Sequence, residues 1–134
     1  MQSIVVSAKI EEMNKVTGFV SEILEANQCS MKARIQIEVA IDEILSNIIR
    51  YAYEGKTGDV MVECDIRDGV ACIRFIDSGI PYNPLTKEDP DVTLSASERE
   101  IGGLGIFMVK KSMDDLRYEY RGQRNQLTMM KRIV

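Results

Sequence analysis

A carboxylate and an amide with helical spacing form the first pair of residues that could do chemistry. Glu43 and Asn47 lie one helical turn apart in a stretch with apolar periodicity, and Arg50 falls on the same narrow stripe. Side-chain oxygens suit a hydrated divalent cation, and a carboxylate can orient and deprotonate a nucleophile. Charged residues on a helix also form ordinary solvated flanks. The spacing leaves both interpretations open.

Two glycine-containing segments could bind the parts of a nucleotide. Asp77-Ser78-Gly79 follows a strand pattern, and a carboxylate at the floor of a pocket can accept a hydrogen bond from an exocyclic amine such as that of adenine. Gly102-Gly103-Leu104-Gly105 runs into an apolar helical pattern, where glycines allow close approach and the first N–H groups of a helix bind phosphate. Each segment is also compatible with a simple turn or hinge.

The composition removes several classes of mechanism. The chain has no histidine, which excludes histidine triads, a phosphohistidine relay and histidine-based metal sites. Three cysteines without a CxxC spacing indicate neither a disulfide framework nor a zinc site. Any general base in this protein is therefore expected to be a carboxylate.

Charge and hydropathy restrict the partners. The net charge of -4, with scattered basic residues, argues against binding to nucleic acid. No apolar run is long enough to cross a bilayer, and the first residues lack the features of a secretory signal. We therefore expect a cytoplasmic protein that binds neither nucleic acid nor membrane.

Hydrophobic periodicity predicts one α+β domain over residues 1–134. We predict a two-layer α/β sandwich with a mixed, mostly antiparallel sheet and helices on one face. The predicted strands are 3–9, 60–67, 70–76, 116–120 and 126–134, and Asp68-Gly69 predicts a two-residue hairpin turn between the second and the third. The predicted helices are 10–27, 31–53 and a third that follows the glycine segment and ends near Asp114. The region 81–101, with three prolines and little periodicity, is interpreted as a mobile lid loop.

Three separated segments, taken in order, resemble the N, G1 and G2 boxes of the GHKL, or Bergerat-fold, ATPases. They are Glu43-Ile44-Leu45-Ser46-Asn47, Asp77-Ser78-Gly79 and Gly103-Leu104-Gly105-Ile106-Phe107. The small size and the run from Arg99 to Val109, followed by Met113-Asp114-Asp115, most resemble the RsbW-type anti-sigma-factor serine kinases. The resemblance covers most of the chain.

The resemblance implies roles around bound ATP and Mg²⁺. Asn47 would help to bind the Mg²⁺ that bridges the phosphates, and Glu43 would act as the general base toward the attacking hydroxyl group. Arg99, at the end of the lid, would neutralise charge on the transferred phosphoryl group. Arg50 stands where many relatives have a histidine, and we place it among the nucleotide-binding residues.

The resemblance also implies how the nucleotide itself is held. Asp77 would bind the adenine amine, Gly79 would let the base approach, and Thr128 on the last strand would support Asp77 through water. Main-chain N–H groups would bind the phosphates, and these belong to Gly103, Leu104, Gly105, Ile106 and Phe107.

The implied function is an ATP-dependent serine/threonine kinase. It would phosphorylate an anti-anti-sigma (STAS) protein and, in another state, hold a sigma factor, which is partner switching; relatives of this kind are commonly homodimers. An ATP-binding regulatory module of the same fold without kinase activity is the alternative. The third hypothesis is a structural domain whose glycines only turn the chain.

Overall fold

A five-stranded sheet with helices on one face accounts for the described part of the chain. The computed structural model describes residues 1–86 and 103–134, without the side chains of Gly103 and Leu104. The strands are β1 (Gln2–Ser7), β2 (Asp59–Arg67), β3 (Val70–Asp77), β4 (Asp115–Arg121) and β5 (Arg124–Arg132). The helices are α1 (Met13–Ala26), α2 (Met31–Asn47) and α3 (Gly103–Ser112). The predicted α+β architecture is confirmed.

The strand order is β1-β2-β3-β5-β4, and each neighbouring pair is antiparallel. The expectation of a mixed sheet is therefore wrong for the described residues. Asp68 and Gly69, at φ values of 51° and 76°, form the predicted two-residue turn between β2 and β3. Gly122 and Gln123, at 60° and 61°, make the same kind of turn between β4 and β5. This turn is shorter than the connection over 121–125 that the sequence suggested.

The core lies between the inner face of the sheet and the helices. Alternate residues of the strands point inward, as the period of two in a strand requires. Those of the three central strands include Val60, Val62, Cys64, Ala71, Ile73, Phe75, Leu127 and Met129. The apolar face of α2 meets them with Ile37, Ile41, Ile44 and Leu45. This packing holds α2 across the sheet and thereby places its polar edge near the ends of β3 and β5.

Helix α2 begins as predicted but ends earlier. The Ser30 side chain accepts a hydrogen bond from the Ala33 N–H and caps its first turn. The α-helix ends at Asn47, and a turn of π-helix over Ile48–Ala52 replaces the predicted continuation to residue 53. The Ala52 carbonyl then accepts a hydrogen bond from the Ile80 N–H at 2.9 Å. This bond ties the end of the helix to the segment that follows β3.

The lid and the third helix also differ from their predictions. Pro84–Thr86 forms a 3-10 turn, and most of the predicted lid falls within residues 87–102, which lie outside the described residues. Helix α3 ends at Ser112, slightly earlier than predicted, because the Asp114 N–H joins the sheet by donating to the Met130 carbonyl. None of the described helices combines the length and the apolar character that a membrane crossing needs.

Candidate functional site

The predicted carboxylate–amide pair on α2 is a direct contact. The Asn47 side-chain N–H₂ donates to the Glu43 main-chain carbonyl at 2.7 Å and to its carboxylate Oε1 at 3.0 Å. These two bonds fix the amide so that its oxygen, Oδ1, faces away from Glu43. That oxygen accepts a hydrogen bond from the Tyr82 hydroxyl at 3.3 Å. Asn47 is only 4% exposed, and these contacts with other described residues help to fix its orientation.

The Glu43 carboxylate packs directly on Gly105 at the beginning of α3. A Cβ atom at position 105 would lie 2.1 Å from Glu43 Cδ, which is closer than atoms can approach. Glycine at this position therefore lets the Glu43 carboxylate lie where it does, since any Cβ would force that carboxylate to move. The contact places the carboxylate at the N-terminal end of α3, where the helix dipole and the unpaired N–H groups favour negative charge.

The residues whose main-chain N–H groups we predict to bind phosphate lie at the beginning of α3. Gly103, Leu104 and Gly105 are its first three residues, whose N–H groups have no intrahelical acceptor. Ile106 is the fourth, and its predicted role stays a prediction because residue 102, its acceptor position, lies outside the described residues. Phe107 is the fifth residue, where the N–H bonds within the helix, so its predicted role as an amide donor is not supported. The Phe107 ring instead carries the Lys111 ammonium group 5.4 Å from its centroid.

Asp77 ends β3 as a buried carboxylate. It is 3% exposed, and its Oδ1 accepts hydrogen bonds from the Gly79 N–H and from the Asn125 side chain, both at 2.9 Å. Burial raises the pKa of Asp77 above its usual 3.8, and these two hydrogen bonds oppose that shift. Gly79 is needed here because a Cβ atom would lie 2.4 Å from the Ala52 carbonyl oxygen.

Asn125 supports Asp77, in the role that the sequence analysis gave to Thr128. It is the register partner of Asp77 across β3 and β5, and its N–H₂ group also donates to the Ile80 carbonyl at 2.8 Å. Thr128 instead pairs with Arg74, which places it on the outer face of the sheet, opposite to Asp77. The prediction that Thr128 lies beside Asp77 is therefore wrong. The inward alternation of position 125 with Leu127 and Met129 is the sequence signal that identifies Asn125.

Tyr82 joins the two halves of the site, and no sequence signal singled it out. Its main-chain N–H donates to Asn125 Oδ1 at 3.0 Å, while its hydroxyl reaches Asn47. Its ring stacks on Tyr51, with 5.0 Å between centroids. An unbroken series of contacts thus connects Gly105, Glu43, Asn47, Tyr82, Asn125 and Asp77. The three segments singled out in the sequence converge in space.

Two other predicted residues have different surroundings. Arg50, in the π-helical turn, is exposed, and its guanidinium carbon lies 5.8 Å from the Tyr51 ring centroid. It is thus placed at the edge of the site by the ring that stacks on Tyr82. Arg99 lies outside the described residues.

Comparison with known proteins identifies the family of the chain. Residues 6–131 match the family described as the histidine kinase-like ATPase domain. The chain belongs to this family. The resemblance to the GHKL ATPases is thereby confirmed, and membership in this ATPase family implies the use of ATP.

Curated relatives of this ATPase domain include kinases and anti-sigma factors. The serine-protein kinase RsbW of Listeria monocytogenes is 29% identical over 96 residues, which cover 68% of this chain and 61% of that protein. The match thus spans about three fifths of the relative's length. The anti-sigma F factor of Caldanaerobacter subterraneus is 28% identical over 98 residues, which cover 73% of this chain and 68% of that protein.

A solved structure has the same fold. The crystal structure of the RsbU and RsbW domains of a Mycobacterium tuberculosis protein superposes with a TM-score of 0.64. The superposition covers 99% of this chain and 32% of that chain at 16% identity. At this identity the likeness concerns the fold alone, and it confirms the predicted Bergerat-type architecture.

The donor set of the ATPase site is compatible with magnesium. The described residues contain no cluster of three histidine, cysteine, aspartate or glutamate side chains that could hold a metal alone. Magnesium, however, usually takes only one or two protein oxygens and completes its shell with phosphates and water. Asn47 Oδ1, which the bonds to Glu43 turn toward the cleft, can serve as such an oxygen.

Proposed function

We propose that this ATPase domain is a serine/threonine protein kinase. The observation that supports the proposal best is the position of the Glu43 carboxylate, which packs on Gly105 at the beginning of α3 and is hydrogen-bonded to Asn47. A base at this place would adjoin the γ-phosphate of a nucleotide whose phosphates bind the first turn of α3. Phosphoryl transfer needs chiefly such positioning, together with stabilisation of charge.

In this mechanism Asp77 accepts a hydrogen bond from the adenine amine, and Asn125 holds the Asp77 carboxylate in place. Asn47 would hold Mg²⁺ in part, and the cation would supply positive charge beside the phosphates. Glu43 accepts the proton of the attacking serine or threonine hydroxyl. A new bond forms between that oxygen and the γ-phosphorus, while the bond to the β-phosphate oxygen breaks and ADP leaves.

Two arginines complete the proposed site. Arg99 would neutralise charge on the transferred phosphoryl group. Arg50, at the edge of the site, would contact the nucleotide.

The names of the relatives suggest the regulatory setting. One relative is named as a serine-protein kinase and another as an anti-sigma factor. We propose that the substrate is an anti-anti-sigma protein of the STAS type, and that the chain holds a sigma factor in a second state. It would act as a cytoplasmic homodimer and as a single domain. Its acidic net charge of -4 suits a protein partner better than nucleic acid.

The test is phosphate transfer to a partner purified together with the chain from cells that express both. Wild type with γ-labelled ATP and Mg²⁺ is expected to label the partner on serine or threonine. Glu43→Gln should bind ATP as wild type does but label the partner at least about 100-fold more slowly, because the general base is lost. Asp42→Asn, at the exposed neighbouring carboxylate, is the matched control and should transfer phosphate normally.

The outcomes separate the candidates. ATP binding by wild type without labelling of any native partner would favour the regulatory module over the kinase. Absence of ATP binding would contradict both. Normal transfer by Glu43→Gln would remove the assigned general base.

A further inference from the structure

Tyr82 is anchored at three points between the two ends of the site. Its main-chain N–H donates to Asn125 at 3.0 Å, and its ring stacks on Tyr51 at an interplanar angle of 26°. Its hydroxyl donates to Asn47 Oδ1 at 3.3 Å. The first two contacts do not depend on the hydroxyl group, so they hold the ring in place whether or not the third is made.

The oxygen that accepts the Tyr82 hydroxyl is the one that the site offers to a cation. Asn47 donates two bonds to Glu43, and the amide cannot turn over without losing them. Its Oδ1 is therefore the atom that faces the cleft. Because Asn47 is 4% exposed, a cation reaches this oxygen only where neighbouring groups give way.

We infer that the Tyr82 hydroxyl competes with magnesium for Asn47 Oδ1, so that Tyr82 sets how much magnesium the nucleotide site requires. The hydroxyl proton and the cation are both positive and use the same carbonyl oxygen, so a bond to one weakens binding of the other. Rotation of the hydroxyl group about its bond to the ring breaks this hydrogen bond and leaves the ring stack and the main-chain bond to Asn125 in place. This inference rests on the proposed nucleotide site, and it assigns Tyr82 as a positioning residue.

The size of the effect follows from the bond that must be broken. A neutral hydrogen bond of this kind corresponds to about a two- to tenfold change in an equilibrium constant. When the Tyr82 hydroxyl bonds this oxygen in most of the population, the apparent affinity for the cation falls in proportion to the fraction without that bond. Removing the hydroxyl should therefore lower the half-saturating magnesium concentration by about two- to tenfold.

The experiment measures binding of a ribose-labelled fluorescent ADP by anisotropy during titration with magnesium chloride. Tyr82→Phe, which keeps the ring stack and the main-chain bond, should need about two- to tenfold less magnesium than wild type. Its affinity for the nucleotide in excess EDTA should equal that of wild type. Tyr51→Phe removes a hydroxyl from the stacked ring but leaves the bond to Asn47, so it should titrate as wild type does.

An unchanged or increased magnesium requirement in Tyr82→Phe would overturn the inference, since the hydroxyl would then be neutral or supportive toward the metal. An equal decrease in Tyr51→Phe would also overturn it, because the effect would not be specific to the Asn47 contact. If wild type binds ADP with magnesium, either of these results overturns only the inference about Tyr82 and leaves the proposed function standing. If wild type binds no nucleotide, the proposed function fails as well.

Discussion

We expect Asp77→Asn to remove most of the nucleotide binding while it leaves the fold intact. Both hydrogen bonds that the described residues donate to Asp77 end on Oδ1, from Gly79 and Asn125. An asparagine amide oxygen in the same place can accept both. The substitution therefore keeps the internal contacts of the site and changes the other end of the side chain, from an acceptor to a donor.

The loss of affinity can be worked out from this geometry. The adenine amine would lose a hydrogen bond to a charged acceptor, which contributes about 1.5 to 3 kcal/mol. It would also meet an N–H₂ group, so that two donors face each other. We expect binding of ATP to weaken by about 10- to 100-fold or more.

The same substitution, Asp77→Asn, should not lower the free energy of unfolding, although it weakens ATP binding. Burial raises the pKa of Asp77 above 3.8, so the folded protein holds this proton to higher pH than the unfolded chain does. The contribution of Asp77 to stability is therefore present in full below pH 3.8 and is lost as the pH rises through the raised folded value. Asparagine carries no charge to bury, so at neutral pH the variant should be at least as stable as wild type.

Two measurements test this reasoning on the same samples. Isothermal titration with ATP and Mg²⁺ gives the affinity, and urea unfolding at several pH values above 3.8 gives the free energy of unfolding. The fall in stability of wild type with rising pH should be smaller in the variant. ATP affinity within about threefold of wild type would refute recognition by this carboxylate. A loss of more than about 2 kcal/mol in the free energy of unfolding would show that Asp77 is mainly structural.

Two further pairs of variants test the packing and the support of the site. Gly105→Ala would place a Cβ atom 2.1 Å from Glu43 Cδ, so the carboxylate must turn away from Asn47, which should cost about 1 kcal/mol in urea unfolding. Gly18→Ala, on α1 with nothing within 4 Å, should instead stabilise it by about 0.5 to 1 kcal/mol, and equal effects would contradict this packing. Asn125→Ala should lower the free energy of unfolding by about 1 to 3 kcal/mol and weaken ATP binding, because buried polar groups lose their partner. Thr128→Ala, on the outer sheet face, should alter stability by less than about 0.5 kcal/mol, and a stronger effect on ATP binding than that of Asn125→Ala would restore the original assignment.

Local sequence patterns determined most of the fold. The period of two predicted β1, β2 and β3, since successive side chains of a strand point to opposite faces, and β4 and β5 were predicted as the two closing strands. The Asp68-Gly69 pair predicted its hairpin because both residues tolerate positive φ. The sequence predicted the end of α2 too late, because its apolar pattern continues to residue 53. The structure instead has a π-helical turn there, and the Ala52 carbonyl bonds to Ile80, a residue far along the chain that no local pattern includes.

The residues of the site also fall into those that local patterns predicted and those that long-range contacts decided. Residue types and their order singled out Glu43 with Asn47, Asp77 and the Gly103–Gly105 turn, because each segment has a local chemical signature. The assignment of Thr128 failed because the partner of Asp77 is decided by the register of β5 against β3, which no local pattern contains.

The sequence by itself thus determined which groups are available: a carboxylate base, an amide ligand, a buried acid and helix-terminal N–H groups, with no histidine to offer another route. Only the tertiary structure decided which of them touch. Contacts such as Glu43 with Gly105, and Tyr82 with Asn47, join residues far apart in the chain and depend on how the helices pack on the sheet. Packing of that kind is set by the shapes of many side chains together, whereas propensity and period act within a few residues.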